Sequence, residues 1–107
     1  MVRIEAIIHP SKLDEVKAAL VRLEIEGVTS LYVLEHSGLG GLKTTYRAAE
    51  YRVDIQKLKL EMVVSSLRAD EVVEAICRAA RTGKSGDDGR VLIYEIAQAL
   101  RICDGRG

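Results

Sequence analysis

Phenylalanine and tryptophan are missing from the 107 residues. A hydrophobic share of 48% still argues for an ordered globule, so its core has to be built from aliphatic side chains. Cysteine occurs only as Cys77 and Cys103. Two thiols are too few for a disulfide framework, and neither has a Cys-x-x-Cys or cysteine–histidine spacing that would hold zinc. An excess of one charge is absent as well, because 16 basic side chains balance 16 acidic ones. This excludes the broad basic surface of a nucleic-acid or membrane-surface protein and confines any anion site to a local cluster. No apolar run approaches the length of a membrane span, and the opening Met1-Val2-Arg3-Ile4-Glu5 alternates in charge and hydropathy, unlike a signal peptide. The expectation is a cytoplasmic chain with no nucleic-acid partner and no membrane insertion. Histidine is limited to His9 and His36, and neither stands in a nucleophile-plus-base arrangement, which argues against an enzyme.

What is present is a pattern of short elements that fits one domain over residues 1–107. Val2, Ile4, Ala6 and Ile8 alternate with Arg3, Glu5, Ile7 and His9, the period of a strand that Pro10 ends. Ser11 with Asp14 resembles a capping box, and Leu13, Val16, Leu20 and Leu23 repeat at helical spacing as far as Gly27. Val28 to Glu35 is β-rich, and Thr29 within it is either a plain strand residue or a hydroxyl that reaches a ligand. From His36 to about Gln56 no period holds, which predicts a long flexible loop of the kind that usually serves a function. Leu58, Leu60, Met62 and Val64 alternate with charged residues as a third strand; Ser66 or a neighbour caps a second helix with Val72, Val73, Ile76, Cys77 and Ala80 on its apolar stripe. Cys77 is there as a small buried hydrophobe. Val91 to Ile96 is a fourth strand, Ala97 to Leu100 suits a short helical turn, and a tail follows from about residue 101. The order is β-α-β, long loop, β-α-β, an α+β ferredoxin-like sheet with both helices on one face. Its other face gathers Arg3, Glu5, Lys59 and Glu61 with Ile7 and Val63, a surface suited either to self-association or to solvent.

Between the second helix and the last strand lies Thr82-Gly83-Lys84-Ser85-Gly86-Asp87-Asp88-Gly89-Arg90. Its glycines allow positive φ and close approach to an anion, while Lys84 and Arg90 bring charge. It is not a P-loop: Arg78 occupies the position of the first glycine, and the order is helix then strand, so no helix N-terminus faces the anion. A phosphate clamp and a helix stop running into an Asp-Gly turn both remain open on these residues alone.

Several stretches resemble the PII signalling family over nearly the whole chain. Ala6-Ile7-Ile8-His9-Pro10 with Lys12-Leu13-Asp14-Glu15-Val16 is similar to its opening strand and helix. Tyr46-Arg47-Ala48-Ala49-Glu50-Tyr51 resembles its loop signature, the glycine-rich run resembles Thr-Gly-Lys-x-Gly-Asp-Gly-Lys with one extra Asp and Arg90 for the last Lys, and Leu100-Arg101-Ile102 resembles its C-terminal loop. The resemblance implies a homotrimer that binds ADP, AMP or ATP in intersubunit clefts and signals through the long loop to a partner protein, such as a transporter or a regulatory enzyme. It assigns the nucleotide to Thr29, Gly38, Val63, Val64, Lys84, Gly86, Asp87, Asp88, Gly89, Arg90 and Arg101. It assigns effector and partner contacts to Leu39, Gly40, Gly41, Lys43, Tyr46, Arg47, Tyr51 and Lys57, with Tyr51 at the position that some members modify.

The chain departs from the family pattern in three places. Leu39 stands where members that sense 2-oxoglutarate carry a glutamine that helps hold magnesium, and a leucine cannot coordinate it. Lys57 lacks the preceding proline, and Cys103 replaces a second arginine shortly before the chain ends. These departures resemble the branch linked to carboxysomes and bicarbonate; the alternative is the standard nitrogen regulator sensing ATP, ADP and 2-oxoglutarate. An acylphosphatase-like enzyme of this fold would need an arginine-bearing anion loop where His9-Pro10-Ser11 stands. A purely structural shell protein would leave Arg90 and Arg101 without a purpose.

Overall fold

The computed structural model describes residues 1–36, 43–46, 49–52, 54–83 and 88–103, and for 43–46 and 49–52 the backbone alone. Six strands and two helices follow in the order β1 (Val2–Ile8), α1 (Leu13–Arg22), β2 (Thr29–Glu35), β3 (Lys43–Tyr46), β4 (Ala49–Arg52), β5 (Ile55–Val64), α2 (Ala69–Ala80) and β6 (Arg90–Glu95). Four of the strands form an antiparallel sheet in the order β2-β5-β1-β6. This is the α+β, ferredoxin-like arrangement that the alternation predicts.

The two-residue period decides which side of the sheet is buried. Ile4, Ala6 and Ile8 of β1 and Leu58, Leu60 and Met62 of β5 join Val16 and Leu20 of α1 and Val72 and Ile76 of α2 in one aliphatic core. The opposite face is set by the register, which places Arg3 beside Val63, Glu5 beside Glu61 and Ile7 beside Lys59. Arg3 pairs with Glu61 at 3.8 Å and Lys59 with Glu5 at 3.3 Å. Tyr94 of β6 donates its hydroxyl to Glu5 at 3.2 Å, with the Arg3 guanidinium 4.4 Å from its ring centre.

The tandem halves repeat down to their strand–helix junctions. Short 3₁₀ turns, Pro10–Lys12 and Ser66–Arg68, lead into α1 and α2. The cap before each is a side chain accepting from the backbone two residues on: Ser65 Oγ from Leu67 N–H at 3.2 Å, and His9 Nδ1 from Ser11 N–H at 3.2 Å. The first cap is therefore His9 and not Ser11, because the 3₁₀ turn moves the unpaired amides one turn earlier than a capping box at Ser11 requires. The same turn brings His9 Nδ1 within 2.8 Å of Ser11 Oγ, a histidine–serine pair that the residue pattern does not predict and that serves the junction.

Four other expectations are corrected. Helix α1 stops at Arg22, well before Gly27. The amides of Glu24 and Ile25 turn back to the carbonyls of Val21 and Leu20 at 2.9 and 3.0 Å, with Glu24 at φ 58°. This is a Schellman stop with glutamate in the left-handed position where glycine is usual. Arg68 reinforces the stop by donating to the Leu23 carbonyl at 2.6 Å. Replacing Glu24 by Gly removes a left-handed Cβ penalty of about 1 to 2 kcal/mol and returns part of it as backbone entropy. A thermal or urea melt should show Glu24→Gly more stable by roughly 0.5 to 1 kcal/mol. In the long connection, β3 and β4 form a separate two-stranded ribbon in which Lys43 faces Arg52 and Tyr46 faces Ala49. Strands of four residues are too short for a two-residue period to stand out in the sequence. Ala97 to Leu100 forms no helix, and Arg101 makes an isolated bridge. Cys77 is partly exposed rather than buried. Among the described residues, no helix is long and apolar enough to cross a membrane.

Candidate functional site: the turn after α2

Helix α2 ends at Ala80, and Arg81 turns the backbone to an extended conformation. The chain is then tied across the neck of the glycine-rich turn. Asp88 Oδ1 accepts from Thr82 N–H at 2.7 Å and from Thr82 Oγ at 2.5 Å. The Thr82 hydroxyl and then its amide hold the Asp88 carboxyl below the usual carboxylate range, with burial opposing and the charges of Arg81 and Lys12 assisting. A carboxylate with a depressed value stabilises the fold above its ordinary pKa and loses that contribution as pH falls through the lower folded value, so the clasp holds at neutral pH and opens only in acid.

Gly89 completes the neck. It sits at φ 99°, and a Cβ there would lie 1.8 Å from the Ile7 carbonyl oxygen, so only glycine fits this close passage along β1. The next residue, Arg90, starts β6 opposite Ile7. Its Nη1 donates to Glu35 Oε1 at 2.5 Å. Glu35 ends β2, so the pair joins the two outer strands across the open face. One residue on, His36 Nδ1 and Asp54 Oδ1 meet at 2.7 Å and close the base of the long connection.

The remaining sequence-predicted residues fall into four groups. Gly38, Leu39, Gly40, Gly41, Arg47, Lys84, Gly86 and Asp87 lie outside the described residues, as do the side chains of Lys43, Tyr46 and Tyr51. Lys57 is 1% exposed and lies on β5 opposite Val33. Thr29 and Val63 occupy the open face near Glu61, whereas the Val64 side chain belongs to the core. Thr29 is on β2 and Arg90 on β6, with three interstrand steps between them, or about 14 Å at ~4.8 Å each. Arg101 is exposed beyond β6.

Sequence reasoning missed Thr82 as the clasp, Glu35 as the Arg90 partner and the His36–Asp54 closure. An Asp-Gly turn signals only a turn, and cross-strand pairs leave no trace in local spacing.

A small cavity of about 220 Å³ lies beneath the neck, lined by Ile7, Ile76, Cys77, Ala80, Gly89 and Val91 among others. The charged residues Arg81, Asp88 and Arg90 line it too, and it is smaller than the ~300 to 1,000 Å³ usual for organic ligands. Among the described residues, no group of three His, Cys, Asp or Glu side chains could hold a metal ion.

Comparison with known proteins matches the sequence to one family. The sequence model described as nitrogen regulatory protein P-II matches residues 1–106. The nitrogen regulatory protein P-II of Nostoc punctiforme is 48% identical, across 98% of this chain and 94% of its own length. The proteins of the same name from Rhodospirillum rubrum and Pasteurella multocida are 45% and 42% identical over the same shares.

Proposed function

Because the chain belongs to the P-II nitrogen regulatory family, whose members are signal transducers, we propose that it is a nucleotide-responsive regulator and not an enzyme. It takes ADP, AMP or ATP between the copies of a homotrimer and reports the bound state to a partner protein, a transporter or a regulatory enzyme, through the segment from His36 to Gln56. The observation that carries this reading is the preformed neck, in which Thr82 and Asp88 clasp the turn, Gly89 rests on β1 and Arg90 opens β6. A neck ordered before the ligand arrives lowers the cost of capturing an anion there.

Arg90 and Arg101 supply forked donors for phosphate oxygens, joined in this reading by Lys84, Gly86 and Asp87 from the sequence just before Arg90. Thr29 and Val63 lie toward the opposite edge of the sheet, so a cleft that joins the β6 edge of one copy to the β2 edge of another brings both ends of a nucleotide into contact. Exposed Leu31, Val63, Leu92 and Tyr94 support such an assembly, and closed cyclic assembly suits a chain of this size.

Titration calorimetry with ADP tests this reading. A charge-assisted contact is worth about 1.5 to 3 kcal/mol, so Arg90→Ala should weaken binding roughly tenfold to a hundredfold at 1.4 kcal/mol per decade. Unchanged affinity would place the phosphate elsewhere.

For the second effector we propose bicarbonate in inorganic-carbon regulation. It needs only a few amides and cations, which Gly38, Gly40, Gly41, Lys43 and Arg47 can provide, while Leu39 offers no oxygen to magnesium. The alternative is a nitrogen regulator that senses 2-oxoglutarate through Lys57; the relatives' names support its nitrogen part alone. The same ADP titration separates the two, since bicarbonate tightens ADP in the first case and 2-oxoglutarate does so in the second.

A further inference from the structure

We propose that Glu35 sets the nucleotide preference of the site, acting as a fixed negative charge beside Arg90 that penalises ligands carrying more phosphates. The inference rests on the proposed nucleotide reading and adds a discriminator to it. Glu35 Oε1 and Arg90 Nη1 are 2.5 Å apart, and the two side chains are 38% and 53% exposed. An ion pair this open contributes little by itself, so an incoming phosphate exchanges for the carboxylate on the guanidinium at small cost.

The carboxylate cannot then move far away. Glu35 pairs with Ile55 in the β2–β5 ladder, and the next residue is held by the 2.7 Å His36–Asp54 contact. With its backbone fixed on both sides, Glu35 releases Arg90 by rotating its side chain, and the charge stays at the Arg90 end of the sheet, taken as on the order of 5 Å from a phosphoryl group on Arg90 for the Coulomb estimate. At that separation in a largely solvated setting, each further negative charge on the ligand loses roughly threefold to tenfold in affinity. The site therefore favours AMP and ADP over ATP. Asp88 adds its own negative charge at the neck, where Thr82 holds it, but a change at Glu35 leaves that charge in place, so comparing variants at Glu35 isolates this residue.

The experiment is calorimetric titration of the full chain with AMP, ADP and ATP, without added magnesium, for wild type, Glu35→Gln and Glu35→Asp. Glu35→Gln keeps the size and the hydrogen-bonding oxygen and removes only the charge. It should tighten ATP about tenfold, ADP less and AMP less than threefold, while Glu35→Asp keeps the wild-type ranking. Equal shifts for all three nucleotides in Glu35→Gln, or none, would overturn the discriminator while leaving the nucleotide reading intact. A Glu35→Asp ranking that matches Glu35→Gln would overturn it too, since charge would then not be the cause. If neither wild type nor Glu35→Gln binds any of the three at millimolar concentration, the nucleotide reading itself fails, and this inference fails with it.

Discussion

Gly89→Ala should lose roughly 2 to 5 kcal/mol of stability, from left-handed strain together with forced repacking. The methyl would stand 1.8 Å from the Ile7 oxygen and 2.9 Å from the Ile7 carbonyl carbon. Both are backbone atoms of β1, the strand that pairs with β5 and β6, so relief requires moving the sheet and not a side chain. Gly83→Ala is the control. Gly83 has a similar φ of 78° but nothing within 4 Å of the added Cβ, so its cost is the conformational one, about 1 to 2 kcal/mol. Urea unfolding of the two variants reads the difference; equal midpoints would mean that conformation, not the passage along β1, makes Gly89 necessary.

Leu60→Ala is the second large expected loss, about 2 to 5 kcal/mol in the same urea assay. Leu60 is fully buried on β5, paired with Ala6 of β1 and Ser30 of β2. The missing Phe and Trp bear directly on the size of this effect. An aliphatic core has no large ring that can rotate into the space, and its β-branched neighbours Val16, Val72 and Ile76 are stiff at χ1, so the cavity stays open. Leu31 of β2, half-exposed on the opposite face, provides the contrast. In an isolated copy Leu31→Ala should change stability by less than about 0.5 kcal/mol, the usual range for a surface site, and a larger loss that grows with protein concentration would report a covered face.

Most of the sheet and both helices were legible because burial leaves a period. Val2, Ile4, Ala6 and Ile8 alternate for the same physical reason that they share one face, and Val72 and Ile76 recur at helical spacing because they meet that face. What remained hidden depends on backbone geometry or on partners distant in sequence. Glu24 ends α1 in a conformation that favours glycine, so the nearby Gly27 misleads. His9 caps a junction where serine is the usual signal. The ribbon of β3 and β4 is built from four-residue strands, too short to show a period. At the candidate site, the glycine turn and Arg90 could be read from composition, but Thr82 holding Asp88 and Arg90 reaching Glu35 across the sheet emerge only when the strands are in place.

The contact between His36 and Asp54 bears on how freely the long connection between β2 and β5 can change over evolution. Strand β5, from the second half, lies between β1 and β2 of the first, so closing the connection that starts at His36 is part of forming the sheet in every member with this layout. The entropy of closure rises only with the logarithm of length, and doubling the segment costs about 0.6 kcal/mol. The stem at Glu35, His36 and Asp54 thus insulates the sheet from whatever is spliced beyond it. Insertion, deletion or wholesale replacement in this segment can therefore accumulate while the four-stranded scaffold remains almost untouched.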